Sequence, residues 1–517
     1  MKMPTRLLCL ALFIAAFTAT QAQEEPKARP DKTEKPDKKP APEFKEPVLS
    51  VTEHEVTVGG KVIKYRATAG YLVLKTEKDE PRANIFFVAY TKLDEANPAK
   101  RPLTFSFNGG PGSASVWLHM GALGPKRVVM TDKGESLPPP YQWADNEFSW
   151  LDQTDLVFID PVSTGYSRAA KDVDPKQFHG FTGDIESVGE FIRLWMTRNQ
   201  RWSSPKFIVG ESYGTTRAAG LSDYLQQKHG IYLNGIALIS AIMNFETARF
   251  NPGNDLPYQL FLPTYTAAAF YHGKLKGDLA KDLTKTLARV QDFVLKDYTT
   301  ALTLGDALPA KEYERIAMQL SDFTGLSTDF IRKQNLRVSI FRFVRELKRD
   351  ENRFIGRLDS RIVGIADEGD GPGGGYYDPS GEVSKPGFTT AYNDYLRREL
   401  KYENDLTYEV AGNVRPWSYA NVENEYLNVA ETLKHAMTKH NFLKVWIANG
   451  YYDLATPYFA TDYTVKHMGL DAAVRGNISQ TFYEAGHMMY LHSDSLRKFK
   501  ADYAAWMDSV LKSAGVK

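Results

Sequence analysis

Cysteine is nearly missing from this chain: 517 residues contain one, Cys9. It stands at the start of a segment that reads as a removable leader, with Lys2 and Arg6 as a positive head, an apolar run over 7–17 and the small-x-small signal Thr20-Gln21-Ala22. A lipid-modified leader would need its cysteine at the end of the apolar run instead. Cleavage after Ala22 leaves no thiol, which excludes disulfides and thiolate-bound metal and predicts a fold held by packing. Net charge is also scarce. Lys and Arg number 64 against 63 Asp and Glu, a balance of +1, so no overall field favours nucleic acid or an anionic surface. Long apolar runs are the third absence: no other stretch approaches the roughly 20 residues that span a bilayer, and no stable membrane insertion is expected. The chain is expected to be secreted or periplasmic.

What is present is the composition of a folded globular protein, 43% hydrophobic and 12% aromatic. After the leader (1–22), residues 23–47 mix Pro, Lys and Glu with almost nothing apolar, and a disordered tether is expected there. Short β-rich runs over 55–58, 61–65, 70–74 and 84–90, with Gly59 and Gly60 at a turn, predict an opening antiparallel sheet. Apolar runs at Leu103–Phe107, Asp155–Ile159, 207–209, 236–239 and 445–448 then fit buried parallel strands. Between 245 and 440 helical patterns dominate, as over 280–295, 310–320 and 338–347, and predict an inserted cap. The organisation expected is a core in two parts, 48–244 and 441–517, around that insertion. A Gly-rich stretch with three aspartates, 367–381, lacks the spacing of a calcium loop and reads as a plain mobile loop.

Four features carry chemistry. Gly210-Glu211-Ser212-Tyr213-Gly214 follows an apolar strand and precedes a helical stretch, the setting of a G-x-S-x-G elbow that exposes a nucleophilic serine. Taken alone the pentapeptide also fits an ordinary capped turn. A serine needs a base, and the base a carboxylate to orient it. In the order Ser, Asp, His both belong late in the chain, and Asp453, just past the run ending at Gly450, and His487, after a β-like run and Gly486, fill those places. Asn108-Gly109-Gly110-Pro111-Gly112, directly after an early strand, is where backbone N–H donors for a tetrahedral oxyanion are placed. A phosphate loop is the competing reading, but the G-K-[ST] ending is missing.

These motifs, together with Asp155-Leu-Val-Phe-Ile-Asp-Pro-Val-Ser-Thr-Gly-Tyr-Ser167 and Ala485-Gly-His487-Met488, resemble the serine carboxypeptidase family in its order. Gly356-Arg-Leu-Asp-Ser-Arg361 and Tyr377-Asp-Pro-Ser380 look like its bacterial branch. The resemblance implies an α/β-hydrolase fold with a mainly helical inserted cap. It implies Ser212 as nucleophile, His487 as general base and acid, Asp453 as its orienter, and the Gly110 and Tyr213 amides as oxyanion hole. It implies peptide substrates, no cofactor and no metal. Asn108 and Glu211 match two residues that grip the substrate's C-terminal carboxylate in the family. The third, a glutamate before Leu-Gly-Pro, is replaced by Ala122. Two carboxyls that share a proton can donate to a substrate carboxylate, and without that pair recognition of a free C-terminus is expected to be weaker or built differently, with cap residues contributing. The function expected is an exported serine carboxypeptidase working through an acyl-enzyme. An esterase or acyltransferase using the same triad is the alternative, and a turnover-free binding protein the remote one. An aromatic group in the cap, Tyr258, Phe261, Tyr265, Phe270 and Tyr271, either lines an apolar site or packs the cap.

Overall fold

The computed structural model describes residues 47–366 and 377–515. The expected leader, all but Pro47 of the tether, and 367–376 of the Gly-rich stretch lie outside the described residues. Of that stretch, Asp378 accepts the amides of Arg357 (3.1 Å) and Leu358 (3.1 Å) and caps the helical turn Pro379–Glu382, so its last residues are fixed rather than a mobile loop.

One ten-stranded sheet organises the chain. β1 (Ser50–Val58), β2 (Lys61–Lys75) and β3 (Pro81–Lys92) form an antiparallel meander. β4 (Leu103–Phe107), β5 (Asp155–Ile159), β7 (Lys206–Glu211), β8 (Gly235–Ile239), β9 (Lys444–Gly450) and β10 (Ile478–Tyr483) run parallel, and the two-residue β6 (Arg168–Ala169) pairs with β3. The order across the sheet is β1-β2-β3-β5-β4-β7-β8-β9-β10. The runs at 61–65 and 70–74 are one strand: Gly70 does not break it, because a Cβ there would meet the Leu49 side chain at 2.6 Å and the position serves close approach.

Alternation along the central strands divides their side chains between two layers. Phe207, Val209, Ala237, Ile239, Trp446 and Ala448 face a core closed by α8 (Ser493–Ser513). Ile208, Ile236, Leu238, Val445 and Ile447 face a second core under α1 (Phe181–Arg198), α2 (Tyr213–His229) and α7 (Ala430–Lys439). Both faces are buried, which is why these strands read as continuous apolar runs. This is the α/β-hydrolase arrangement.

The span 245–440 divides among three cores. α3 (Leu256–Tyr271), α4 (Leu283–Phe293), α5 (Ala310–Thr324) and the helix Ile340–Glu346 build a hydrophobic cluster of their own, joined by Leu454, Tyr458 and Phe459. In contrast, α6 (Lys385–Arg398) packs Phe388, Tyr392 and Tyr395 into the first sheet core, and α7 packs into the second. The cap's aromatic residues act as packing: Phe261 and Tyr265 are buried, Tyr265 stacks on Phe343 at 4.1 Å, and Tyr271 stays half exposed beside Tyr452. Among the described residues no helix is long and apolar enough to cross a membrane.

Candidate active site

Ser212 occupies the turn between β7 and α2 with φ 60° and ψ −129°, a conformation that costs a non-glycine residue energy and that the surroundings must impose. They do so by crowding. A Cβ on Gly210 would lie 2.1 Å from the Gly214 carbonyl oxygen, so only glycine lets the strand and helix cross there. The Ser212 amide donates to the Ile239 carbonyl (3.0 Å) at the end of β8, and Thr215 bonds back to the Ser212 carbonyl through its amide (2.8 Å) and hydroxyl (2.7 Å). The side chain is thereby held at the strand tips with the N-terminus of α2 behind it.

Asp453 follows β9 and is fully buried. Its Oδ1 accepts the amides of Ala455 (2.7 Å) and Thr456 (3.0 Å), and its Oδ2 accepts the Thr456 hydroxyl (2.6 Å) and His487 Nδ1 (2.8 Å). With the carboxylate locked, Nδ1 of His487 is the protonated nitrogen and Nε2 is left to act as base. The imidazole is anchored through its backbone: the His487 amide donates to the Leu358 carbonyl (2.7 Å), and the Ser240 hydroxyl donates to the His487 carbonyl (2.6 Å). Ser240 is the residue after Ile239, to which Ser212 is tied, so β8 joins the serine and histidine loops at one point. Among the described residues Ser212 Oγ and His487 Nε2 form no hydrogen bond, a contact that free enzymes often leave long until substrate closes it. Burial alone would lower the His487 pKa, but the Asp453 charge and hydrogen bond, helped by Glu211, hold it above its ordinary value, while the Arg357 guanidinium opposes them.

The loop after β4 lies against the elbow. A Cβ on Gly109 would fall 2.3 Å from the Tyr213 amide nitrogen, so glycine is what lets the loop reach the first amide of α2. That amide has no carbonyl one turn earlier to bond. Gly110, at φ 101°, continues the same loop. Three contacts brace it. Gly412 donates to the Gly112 carbonyl (2.7 Å), Ala114 donates to the Val410 carbonyl (3.1 Å), and Arg217 Nη1 donates to the Asn108 carbonyl (2.7 Å). The guanidinium is held by buried Asp184 through Nε (2.8 Å).

Glu211, the residue before Ser212, lies beside Asn108. Glu211 is buried, and its carboxyl is pushed up to about 7, first by burial and further by the Asp453 charge, against the opposing pull of His487, Tyr490 and Asn108. Its Oε2 accepts the Tyr490 hydroxyl at 2.5 Å. Asn108 Oδ1 accepts the Leu118 amide (3.0 Å), but its buried Nδ2 has no partner. Ala122 is buried in the wide turn His119–Leu123. The sequence reading did not find Thr456, Ser240, Arg217 or Tyr490. Arg357 lies in a motif noted there, yet nothing local placed it beside His487.

The serine carboxypeptidase family model matches residues 59–359. Among curated proteins, Serine carboxypeptidase-like 46 of Arabidopsis thaliana is 25% identical over 246 residues, 44% of this chain and 49% of that protein. Serine carboxypeptidase-like 33 of the same plant is 29% identical over 167 residues, 32% of each. The chain thus spans half or less of the length of these relatives. Among solved structures, Kex1ΔP, a prohormone-processing carboxypeptidase from Saccharomyces cerevisiae, is similar with a TM-score of 0.52 and 16% identity over 86% of this chain and 92% of that one, a likeness of fold.

Proposed function

The chain belongs to the serine carboxypeptidase family, and from that premise we propose that it releases C-terminal residues from peptides through an acyl-enzyme. Ser212 Oγ attacks the last peptide carbonyl as His487 Nε2 takes its proton. The amides of Gly110 and Tyr213 receive the oxyanion, and His487 returns the proton to the departing amine. Water then attacks the acyl-serine by the same relay.

One observation carries the reading beyond a general serine hydrolase: a buried carboxyl with a raised pKa stands next to Ser212, with the buried Asn108 amide beside it. A protonated Glu211 and Asn108 Nδ2 can both donate to a carboxylate, which is what separates a free C-terminus from an ester or amide. The test compares matched peptides with free, amidated and ester C-termini at mildly acidic pH, with Ser212→Ala as control. Preference for the free acid, lost in the variant, is expected; full activity of Ser212→Ala ends the proposal. The second reading, an esterase or acyltransferase, is favoured by Ala122, and an ester preference with no free-acid cleavage would establish it.

Two finer assignments belong to the same reading. The motifs at 356–361 and 377–380 support a place in the bacterial branch of the family. The leader supports a secreted or periplasmic location, and a mature N-terminus at Gln23 is expected on sequencing the isolated protein.

A further inference from the structure

We propose that Tyr490 replaces the missing acidic partner of Glu211, as the positioning residue that aims the Glu211 acid proton at the substrate's C-terminal carboxylate. The inference rests on the carboxypeptidase reading above and names how that site works without a second carboxyl.

Tyr490 lies three residues past His487, buried in the turn Met489–Leu491. Its ring fills the space in front of the segment that carries Ala122: a Cβ on Gly121 would meet the Tyr490 ring carbons at 2.5 and 2.9 Å. From there its hydroxyl reaches Glu211 Oε2 at 2.5 Å. The phenol therefore stands between the backbone that lacks the acid and the acid that remains.

A phenol differs from a carboxyl in what it can do. Burial, and next the Glu211 charge, hold Tyr490 well above its ordinary pKa, so it keeps its hydrogen throughout the working range. Among the described residues that hydrogen has no other acceptor, and it goes to Oε2. When Glu211 takes up a proton, the proton is directed to Oε1, because Oε2 already accepts the phenol hydrogen. Asn108 Nδ2, which acts on both Glu211 and Tyr490 but closes no full hydrogen bond, supplies a second donor beside them. The pair of donors suits one carboxylate. The charged and polar groups acting on Glu211 are His487, Asp453, Tyr490 and Asn108, with Arg357 acting on His487.

The test is Tyr490→Phe, which keeps the ring on Gly121 and removes only the hydroxyl. Relative to the ester of the same sequence, KM for the free-acid peptide should rise up to about tenfold, the scale of one lost hydrogen bond. The loss of free-acid binding on raising the pH should also shift upward, because the phenol favours the ionised carboxyl. In a Glu211→Gln background the same substitution should still lower the free-acid to ester ratio, but with no pH dependence, because the amide has no proton to lose. An unchanged labelling rate with a fluorophosphonate shows the triad intact. If the wild type prefers the free acid but Tyr490→Phe leaves the ratio and its pH dependence as they were, the role of Tyr490 is overturned while the carboxypeptidase reading stands. If the wild type shows no free-acid preference, both fall.

Discussion

Replacing Glu211 by glutamine should separate two ionisations that the wild-type site combines. Glu211 keeps its proton to about 7 when folded, against 4.5 for an ordinary glutamate, and His487 titrates above 6.5. Cleavage of a free-acid peptide needs Glu211 protonated and His487 neutral, so its kcat/KM should rise with pH through the histidine and fall above about 7. The fall approaches tenfold per pH unit, as for loss of one proton. An ester lacks the carboxylate and should show only the rising limb. Glu211→Gln retains a donor at every pH, so the falling limb should vanish for the free acid. Stability gives a second readout. The unfolded glutamate ionises near 4.5 and the folded one near 7, so folding stability declines as pH rises across that window. The decline is at most about 3 kcal/mol, at roughly 1.4 kcal/mol per pKa unit. Glu211→Gln should therefore melt higher than wild type at pH 8 and gain little at pH 4. Stopped-time peptide assays over pH 5–9 and thermal melts at both ends read these effects. A falling limb that persists in the variant, or that the wild-type ester also shows, refutes the assignment.

Arg357→Met should move the rising limb of ester hydrolysis to higher pH, since the guanidinium disfavours protonated His487, with the plateau rate little altered. Gly109→Ala would put a methyl 2.3 Å from the Tyr213 nitrogen. By forcing the two oxyanion donors apart it should lower kcat by at least about 100-fold, the scale of one lost donor, measurable on any acyl substrate. Arg217→Met leaves buried Asp184 without its cation and the Asn108 carbonyl without its donor. It should cost about 3–5 kcal/mol in denaturant unfolding, part of which Asp184→Asn in the same chain should recover.

The core strands, the elbow and the candidate histidine and carboxylate were legible in the sequence because each is written within a few consecutive residues. Leu103–Phe107 and Asp155–Ile159 are strands with those bounds, since a strand buried on both faces must be apolar throughout. Glycines at 109 and 210 mark where two backbones touch, whatever their partners. The sequence could not show how 61–75 forms one strand, because a glycine reads alike at a break and at a close approach. Nor could it show that 385–439 packs against the sheet and not with the other cap helices, because an amphipathic pattern says that a face is buried but not against what.

The tertiary structure decided the electrostatics of the site. Tyr490 and Glu211 are 279 residues apart, Ser240 and His487 are 247 apart, and Arg217 and Asn108 are 109 apart. A residue's chemical type is set by the chain, but its pKa depends on which charges and how little water surround it, and folding alone brings those neighbours together. The candidate site residues were therefore visible one by one, while their protonation states belong to their packing.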